Sequence, residues 1–133
     1  MSIVLDASIA TVWALADEQD PLADTAMACL MEGSARVPAL WWYEIRNVLV
    51  INERRKRITA AGSQEYLEIL SLLPIVMDFG RDEDAILHLA RRYQLTFYDA
   101  TYLELAIRTS MPLATLDRAL RTAATAVGVE LFA

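Results

Sequence analysis

Residues 2–8, Ser-Ile-Val-Leu-Asp-Ala-Ser, contain the junction that decides the fold. Residues 2–5 form a short run that is apolar on both faces, which is typical of a central strand in a parallel sheet. Asp6-Ala7-Ser8 then opens a helical stretch that reaches about Ala16. The segment therefore predicts a buried strand that ends in a carboxylate and turns directly into a helix.

Short strands and helices alternate through the rest of the chain. Further strands are predicted at 35–38, 75–77, 112–115 and 129–132, and further helices at about 21–32, 40–55, 59–72, 82–92, 99–108 and 116–126. This alternation favours a parallel sheet flanked by helices. We expect one α/β domain over residues 1–133, with four to five strands in the sheet.

The composition excludes several classes of protein. The chain has 133 residues, 56% of them hydrophobic, which argues against intrinsic disorder. One cysteine, Cys29, and one histidine, His88, allow neither an internal disulfide nor a Cys/His zinc site. No apolar run reaches the length of a membrane span, and no secretory signal is visible, so a reducing cytoplasmic setting is expected. The net charge of −6 argues against binding nucleic acid through a general positive field.

Four acidic residues lie where strands or loops pass into helices. Asp6 follows the first strand, Asp117 follows the fourth, Glu44 lies early in the helix after the second, and Asp99 begins a helix after Leu95-Thr96-Phe97-Tyr98. In an open parallel sheet such junctions share one edge, where ligands bind. Converging carboxylates repel one another, and Mg²⁺ or Mn²⁺ would relieve that repulsion through oxygen ligands.

Other interpretations of these acids stay open at this point. Asp99 and Asp117 could be ordinary helix caps, which accept backbone N–H bonds, and Glu44 could be exposed at the surface. Asp6 is harder to explain in that way, because an unpaired charge beside a buried strand is costly. Ser8 and Thr115 are either caps or hydroxyls that support the acidic site.

Four segments in order resemble the PIN-domain family of metal-dependent nucleases. They are Val4-Leu5-Asp6-Ala7-Ser8, Pro38 through Glu44-Ile45-Arg46-Asn47-Val48-Leu49, Tyr93 through Phe97-Tyr98-Asp99-Ala100-Thr101-Tyr102-Leu103-Glu104-Leu105-Ala106, and Leu113 through Thr115-Leu116-Asp117-Arg118-Ala119-Leu120. Each segment alone is a weak match, but the four together are specific. Their order and spacing are most similar to VapC-type toxins of toxin–antitoxin pairs.

The resemblance implies a three-layer α/β/α fold as a single PIN domain and an RNA-cleaving enzyme that uses Mg²⁺ or Mn²⁺. By position, the catalytic acids are Asp6, Glu44, Asp99 and Asp117. Asp6, Asp99 and Asp117 would hold the metal directly or through water. Glu44 would complete the coordination shell of the metal or orient the attacking water. Ser8 and Thr115 match hydroxyls that line the same pocket.

The resemblance also implies partners. Family toxins commonly form homodimers and are held by a cognate, VapB-like antitoxin. The C-terminal segment of such an antitoxin typically packs along the toxin and reaches the acidic pocket with a basic side chain.

Basic residues are candidate contacts for RNA phosphates. Arg54, Arg55, Lys56 and Arg57 form the densest basic run, at the end of the helix that carries Glu44. The alternative is a solvated face that complements the helix dipole. Arg46 is a further candidate, either for a phosphate or for pairing with an acid.

The aromatic residues near the site are expected to have packing roles. Phe97 and Tyr98 are predicted to pack beneath the acids, and Trp41, Trp42 and Tyr43 to pack in the core or to contact an antitoxin. Glu104 falls on a different helix face from Asp99 and is left out of the site.

Three alternative functions remain. The first is a PIN nuclease in RNA processing without a toxin role. The second is a phosphoacceptor module. Such a module usually has a lysine late in the chain, and no lysine follows Lys56 here. The third is a non-catalytic interaction domain whose acids are caps.

Overall fold

The computed structural model describes residues 1–133 and contains one sheet of four parallel strands. The strands are β1 (Ser2–Leu5), β2 (Ser34–Pro38), β3 (Ile75–Asp78) and β4 (Leu113–Ala114). They lie in the order β3-β2-β1-β4. The chain therefore moves outward from β1 to β2 and β3, and then returns to place β4 on the other side of β1.

Seven helices flank the sheet. They are α1 (Ala7–Ala14), α2 (Pro21–Glu32), α3 (Ala39–Arg54), α4 (Ala60–Ser71), α5 (Glu83–Tyr93), α6 (Phe97–Thr109) and α7 (Arg118–Val127). Helix α1 packs against α2 and α3, whereas α5 and α7 pack against α6. The result is the three-layer α/β/α arrangement that the sequence predicts. None of the seven helices combines the length and the apolar character that a membrane crossing requires.

Strand β1 is central, as its sequence predicts. Ile3, Val4 and Leu5 are completely buried. β1 pairs in parallel with β2 on one side, and with β4 on the other through Val4↔Leu113 and Leu5↔Ala114. Burial on both faces explains why this strand is a continuous apolar run rather than an alternating one. The strand order reverses between β1 and β4, and ligands of open α/β sheets bind at such a point.

Polar side chains fix the helix starts. Asp20, Thr59, Asp82, Thr96 and Asp117 each cap a helix by accepting a backbone N–H bond. Helix α6 begins at Phe97, two residues before the predicted start. The reason is that the Thr96 hydroxyl accepts the Asp99 N–H bond at 3.0 Å, so the first turn already includes Phe97 and Tyr98.

The predicted last strand is reduced to a single bridge. Leu131 pairs in parallel with Leu113, and no regular strand forms over 129–132. Strand β4 has only two residues, and its backbone bonds to Glu130 and Phe132 involve Leu113 alone. The edge that β4 offers is therefore too short for a fifth strand to propagate along it.

Candidate active site

Asp6 lies at the carboxyl end of β1 and is 5% exposed. Its Oδ2 accepts two hydrogen bonds, one from the Ser8 hydroxyl at 2.7 Å and one from the Thr115 hydroxyl at 2.7 Å. Asp6 precedes α1 but makes no side-chain cap bond to that helix. Burial raises the pKa of Asp6, and the two hydroxyls together with the Ala7 backbone partly oppose that rise. The carboxylate is held by side chains and is not used as a helix cap.

The hydroxyls of Ser8 and Thr115 also connect the carboxyl end of β1 with the carboxyl end of β4, its neighbour in the sheet. The Ser8 Oγ accepts the Leu116 N–H bond at 3.0 Å, and the Thr115 Oγ1 accepts the Asp117 N–H bond at 3.0 Å. Each hydroxyl therefore donates to Asp6 and accepts from the backbone that follows β4. The arrangement fixes Asp6 relative to the segment that carries Asp117.

Asp117 occupies the cap position of α7. Its Oδ1 accepts the Leu120 N–H bond at 2.8 Å, so the capping interpretation holds for this residue. The charge of Asp117 nevertheless contributes to raising the pKa of both Asp6 and Asp99. Asp117 is therefore at once a structural cap and a neighbour of the other acids.

Asp99 lies in the first turn of α6 and is half-buried. It is not the cap of that helix, because Thr96 has this role. Partial burial raises the pKa of Asp99, and the charges of Asp117 and Asp6 raise it further. The side chain therefore faces the same region as the other two aspartates.

Glu44 reaches the site from the second turn of α3. Its Oε1 accepts a hydrogen bond from the Tyr102 hydroxyl, and Tyr102 is completely buried. Burial raises the pKa of Glu44, the Tyr102 hydroxyl lowers it, and the charges of Asp6 and Asp99 raise it. Sequence reasoning gave Tyr102 no role. The available signal was its position three residues after Asp99, which places both on one face of α6.

Four carboxylates from four elements thus influence one another electrostatically around Asp6. An oxygen-only donor set of this kind fits a hard divalent cation such as Mg²⁺ or Mn²⁺. In the arrangement described, no three acidic, cysteine or histidine side chains lie close enough to hold one ion together. Carboxylates without a counterion repel one another. Closing the cluster around one ion would require side-chain rotation, which the repulsion opposes and a cation favours.

The basic candidates do not join this cluster. Arg57 pairs with Asp17 at 2.9 Å and with Glu18 at 2.8 Å, and it also donates to Asn52. Three neighbouring basic side chains are exposed at the far end of α3, about 15 Å of helical rise from Glu44. They are Arg54, Arg55 and Lys56.

Arg46 also lies away from the acids. It comes two residues after Glu44, so the two side chains leave α3 on roughly opposite faces. Its guanidinium lies 3.8 Å from the centre of the Trp42 ring and donates to the Trp42 carbonyl oxygen at 3.0 Å.

The aromatic residues at the start of α6 correct one expectation. Phe97 and Tyr98 do not pack beneath the acids but are 43% and 62% exposed. The inward face of α6 is occupied instead by Ala100, Tyr102 and the residues up to Ala106. Of the earlier aromatic cluster, Trp41 is buried, whereas Trp42 and Tyr43 are exposed.

Glu104 is buried but separate from the cluster. Its Oε1 accepts a bond from Arg108 at 2.8 Å, and no bond joins it to the other acids. This placement agrees with the sequence analysis, which left Glu104 out of the site because it lies on a different face of the helix from Asp99.

Comparison with protein families gives one match over most of the chain. The family model of the PIN domain matches residues 3–126. No curated protein gives a significant match to the sequence.

Several solved structures are similar in fold. PAE2754 from Pyrobaculum aerophilum is 27% identical with a TM-score of 0.72, over 92% of this chain and 79% of that chain. FitAcB from Neisseria gonorrhoeae is 17% identical with a TM-score of 0.68, over 100% and 97% of the two chains. VapC20 from Mycobacterium tuberculosis, described as a sarcin-ricin loop cleaving toxin, is 15% identical with a TM-score of 0.62, over 91% and 94%.

Proposed function

Because this chain belongs to the PIN domain family, we propose that it is a metal-dependent endoribonuclease that acts as the toxin of a toxin–antitoxin pair. The observation that carries the proposal is the grouping of four carboxylates at the reversal of strand order between β1 and β4. Asp6 and Asp99 have no capping role that would account for their positions.

The proposed metal ligands are Asp6, Asp99 and Asp117, with Mg²⁺ or Mn²⁺ as the ion. When bound, such an ion supplies Lewis-acid stabilisation of the charge that develops on the phosphate, and it lowers the pKa of water. The protein's own contribution is to fix these ligands. Ser8 and Thr115 hold one oxygen of Asp6, and the cap bond to Leu120 holds one oxygen of Asp117.

Glu44 is the proposed residue that orients the attacking water. Its Oε1 is held by Tyr102, and its Oε2 takes no protein hydrogen bond. The raised pKa brings the carboxylate closer to the range in which it accepts a proton at neutral pH. Attack of water on phosphorus with breakage of the P–O3′ bond leaves a 5′-phosphate and a 3′-hydroxyl. The 2′-hydroxyl takes no part in this step, so a preference for RNA must come from binding.

The toxin role rests on similarity in fold. VapC20 is described as a toxin that cleaves the sarcin-ricin loop, and a Klebsiella pneumoniae chain of similar fold is described as part of a toxin–antitoxin complex. From the family resemblance and the sequence we also propose a VapB-like antitoxin as partner, a homodimer as the assembly and the cytoplasm as the location. An acidic pocket without its cation would also attract a basic side chain of such an antitoxin.

The test is cleavage of mixed RNA by the purified chain with Mn²⁺ or with EDTA. We expect cleavage with metal, none with EDTA, and a loss of at least 100-fold in Asp6→Asn and Asp99→Asn. Asp24→Asn is the matched control, because Asp24 is an exposed aspartate in α2. Cleavage in EDTA, or unchanged activity in the two site variants, would contradict the proposal.

Growth separates the toxin from a nuclease of RNA processing. We expect expression of the chain alone to arrest growth, and expression of Asp6→Asn at the same level to leave growth normal. Normal growth with the active chain at a high level would remove the toxin role but leave the nuclease intact.

A further inference from the structure

A cavity opens between the connection that follows β3 and the first turn of α6. Its walls are Phe79 and Arg81, from the connection between β3 and α5, and Phe97 and Tyr98, from the first turn of α6, with Leu40 and Ile86 among the other lining residues. We call it the aromatic cleft; its volume is about 240 Å³. The proposed chemistry uses none of these side chains.

The cleft adjoins the proposed site along the chain. Tyr98 in its wall immediately precedes Asp99, and consecutive Cα atoms lie about 3.8 Å apart. Pro38 and Ala39, which also line the cleft, lead into the helix that carries Glu44. Pro38 and Asp78, which pair at the carboxyl ends of β2 and β3, also place the cleft at the edge of the sheet where Asp6 follows β1.

Its aromatic side chains are left accessible. Phe79 is 70% exposed, Tyr98 is 62% exposed and Phe97 is 43% exposed. Aromatic rings stack on unpaired bases with little sequence preference, and they lose little conformational entropy on binding. Three large rings around one apolar cavity thus match the chemistry of a nucleobase.

Arg81 adds a free positive charge to the rim. Arg36, Arg57 and Arg108 form ion pairs, whereas Arg81 forms none and is exposed. A guanidinium without an acidic partner can bind a phosphate oxygen or stack on a base. This charge complements the nucleic-acid backbone in a chain that is acidic overall.

The wall that carries Phe79 is already ordered. Arg108 donates to the Gly80 carbonyl oxygen at 2.9 Å and to Asp78 Oδ1 at 3.2 Å, and the Gly80 N–H group donates to the same Asp78 oxygen at 2.8 Å. A Cβ atom at Gly80 would lie 3.0 Å from the Arg108 guanidinium. Ligand binding therefore does not have to order this segment.

We propose that the aromatic cleft binds an unpaired nucleobase of the RNA, in the nucleotide next to the phosphate held at the acidic cluster. The proposal rests on the proposed nuclease function, and it assigns to this cleft the binding of one base of the substrate. A base inside a duplex is stacked on both faces and paired along one edge, and it cannot enter a cavity of this kind without leaving the helix.

The test measures binding without cleavage. Fluorescence anisotropy at low salt with EDTA compares a short labelled oligoadenylate with an abasic ribose-phosphate chain of equal length. We expect wild type to bind the base-bearing chain about 5- to 150-fold more tightly, the range for one stacked base. Phe79→Ala should remove most of that preference, Phe79→Trp should keep it, and Arg81→Gln should weaken binding of both chains.

Leu72→Ala is the matched control, because Leu72 is even more exposed than Phe79 and does not line the cleft. It should bind as wild type does. Circular dichroism and urea unfolding establish that each variant is folded. Equal affinity of wild type for the two chains, or no detectable binding of either, would overturn the proposal. So would a folded Phe79→Ala that retains the full preference.

Cleavage assays run in parallel distinguish this proposal from the nuclease. If RNA is cleaved with metal but the preference for bases is absent, the cleft proposal fails and the nuclease stands. If the preference is present and depends on Phe79 but no metal supports cleavage, the nuclease fails and the base-binding cleft stands.

Discussion

The Tyr102 hydroxyl donates a hydrogen bond to the Glu44 carboxylate from a position that no solvent reaches. Burial, together with the nearby charges of Asp6 and Glu44, raises the pKa of Tyr102, so the phenol stays protonated and remains a donor. Glu44 is therefore held from the core side, by a residue on a different helix. Its second carboxylate oxygen makes no hydrogen bond to the protein.

Replacing Tyr102 with phenylalanine removes this donor and leaves the ring. We expect a loss of about 1–3 kcal/mol in the free energy of unfolding at neutral pH, because Glu44 keeps its partial burial and loses its partner. The pKa of Glu44 should rise further, so the acidic limb of the pH profile for cleavage should move to higher pH. Urea unfolding and cleavage rates measured against pH check the two effects.

Tyr43→Phe is the control for Tyr102→Phe, because Tyr43 is largely exposed and its hydroxyl bonds to no protein group. It should change neither quantity. An unchanged pH profile in Tyr102→Phe would mean that the Glu44 bond does not influence catalysis.

The raised pKa values of Asp6, Glu44 and Asp99 predict an unusual dependence of stability on pH. At a pH between their ordinary values, 3.8 for aspartate and 4.5 for glutamate, and their raised values, the folded state binds more protons than the unfolded state. The stabilisation is complete below the ordinary values and is lost as the pH rises through the folded ones. In EDTA, the urea midpoint should therefore be higher at pH 5 than at pH 8.

Substitution separates this effect from general charge repulsion. Asp6→Asn should flatten the difference between pH 5 and pH 8, while Asp24→Asn should keep it. A midpoint that increases from pH 5 to pH 8 in the wild type would contradict the assignment. Asp17 and Asp78, whose pKa values are lowered, act in the opposite direction, and the stability that they contribute is lost as the pH falls below about 5.

Thr115→Val tests the support of Asp6 by hydroxyls. The change keeps the shape of a completely buried side chain, but it removes the donor to Asp6 and the acceptor of the Asp117 N–H group. We expect about 1–3 kcal/mol of destabilisation and a 10- to 100-fold loss of metal affinity or activity. Thr122→Val, at an exposed position of α7, should have little effect on either. Equal urea midpoints for the two variants would refute the structural role of Thr115.

Divalent cations should stabilise the folded chain. With Mn²⁺ at 100 times its dissociation constant, the free energy of unfolding should rise by about 2.7 kcal/mol, because the unfolded chain has no assembled site. Thermal melting with Mn²⁺ and after chelation by EDTA measures the shift. Asp99→Asn should lose most of it, and Asp82→Asn, at the exposed cap of α5, should retain it. A shift of equal size in both variants would place the ion elsewhere.

The basic run is tested through the salt dependence of RNA binding. We expect Arg54→Gln and Arg55→Gln to weaken binding, and each lost contact to flatten the plot of log affinity against log salt by about 0.7. Arg57→Gln should have less effect on the slope, because Arg57 already pairs with Asp17 and Glu18. Unchanged slopes in all three variants would assign the run to a solvated face.

Local patterns predicted most of the fold. The apolar run at residues 3–5 indicated the central strand, and the helix over Pro21–Glu32 was predicted with its observed bounds because Pro21 and Gly33 mark both ends. Acids at strand–helix junctions could be recognised because parallel strands end at one edge. Each of these features is determined by residues that are close together in the sequence, so the sequence alone is enough to predict it.

Contacts between distant elements could not be predicted in the same way. Helix α6 is apolar along most of its length, so its pattern did not show that Phe97 and Tyr98 face outward while Tyr102 faces Glu44. The acidic partners of Arg57 lie about 40 positions earlier in the chain. The exact pairing of side chains across such separations depends on how helices pack, and no local motif reports it.

The bond between Asp6 and Thr115 joins residues that are 109 positions apart, and β4, which carries Thr115 to the site, has only two residues. A chain still emerging from the ribosome has Asp6 and Glu44 long before it has Thr115 and Asp117. The carboxylate cluster is therefore complete only after the last strand has joined β1. A chain that has not yet added residues 113–117 therefore lacks both the hydroxyl of Thr115 that holds Asp6 and the carboxylate of Asp117.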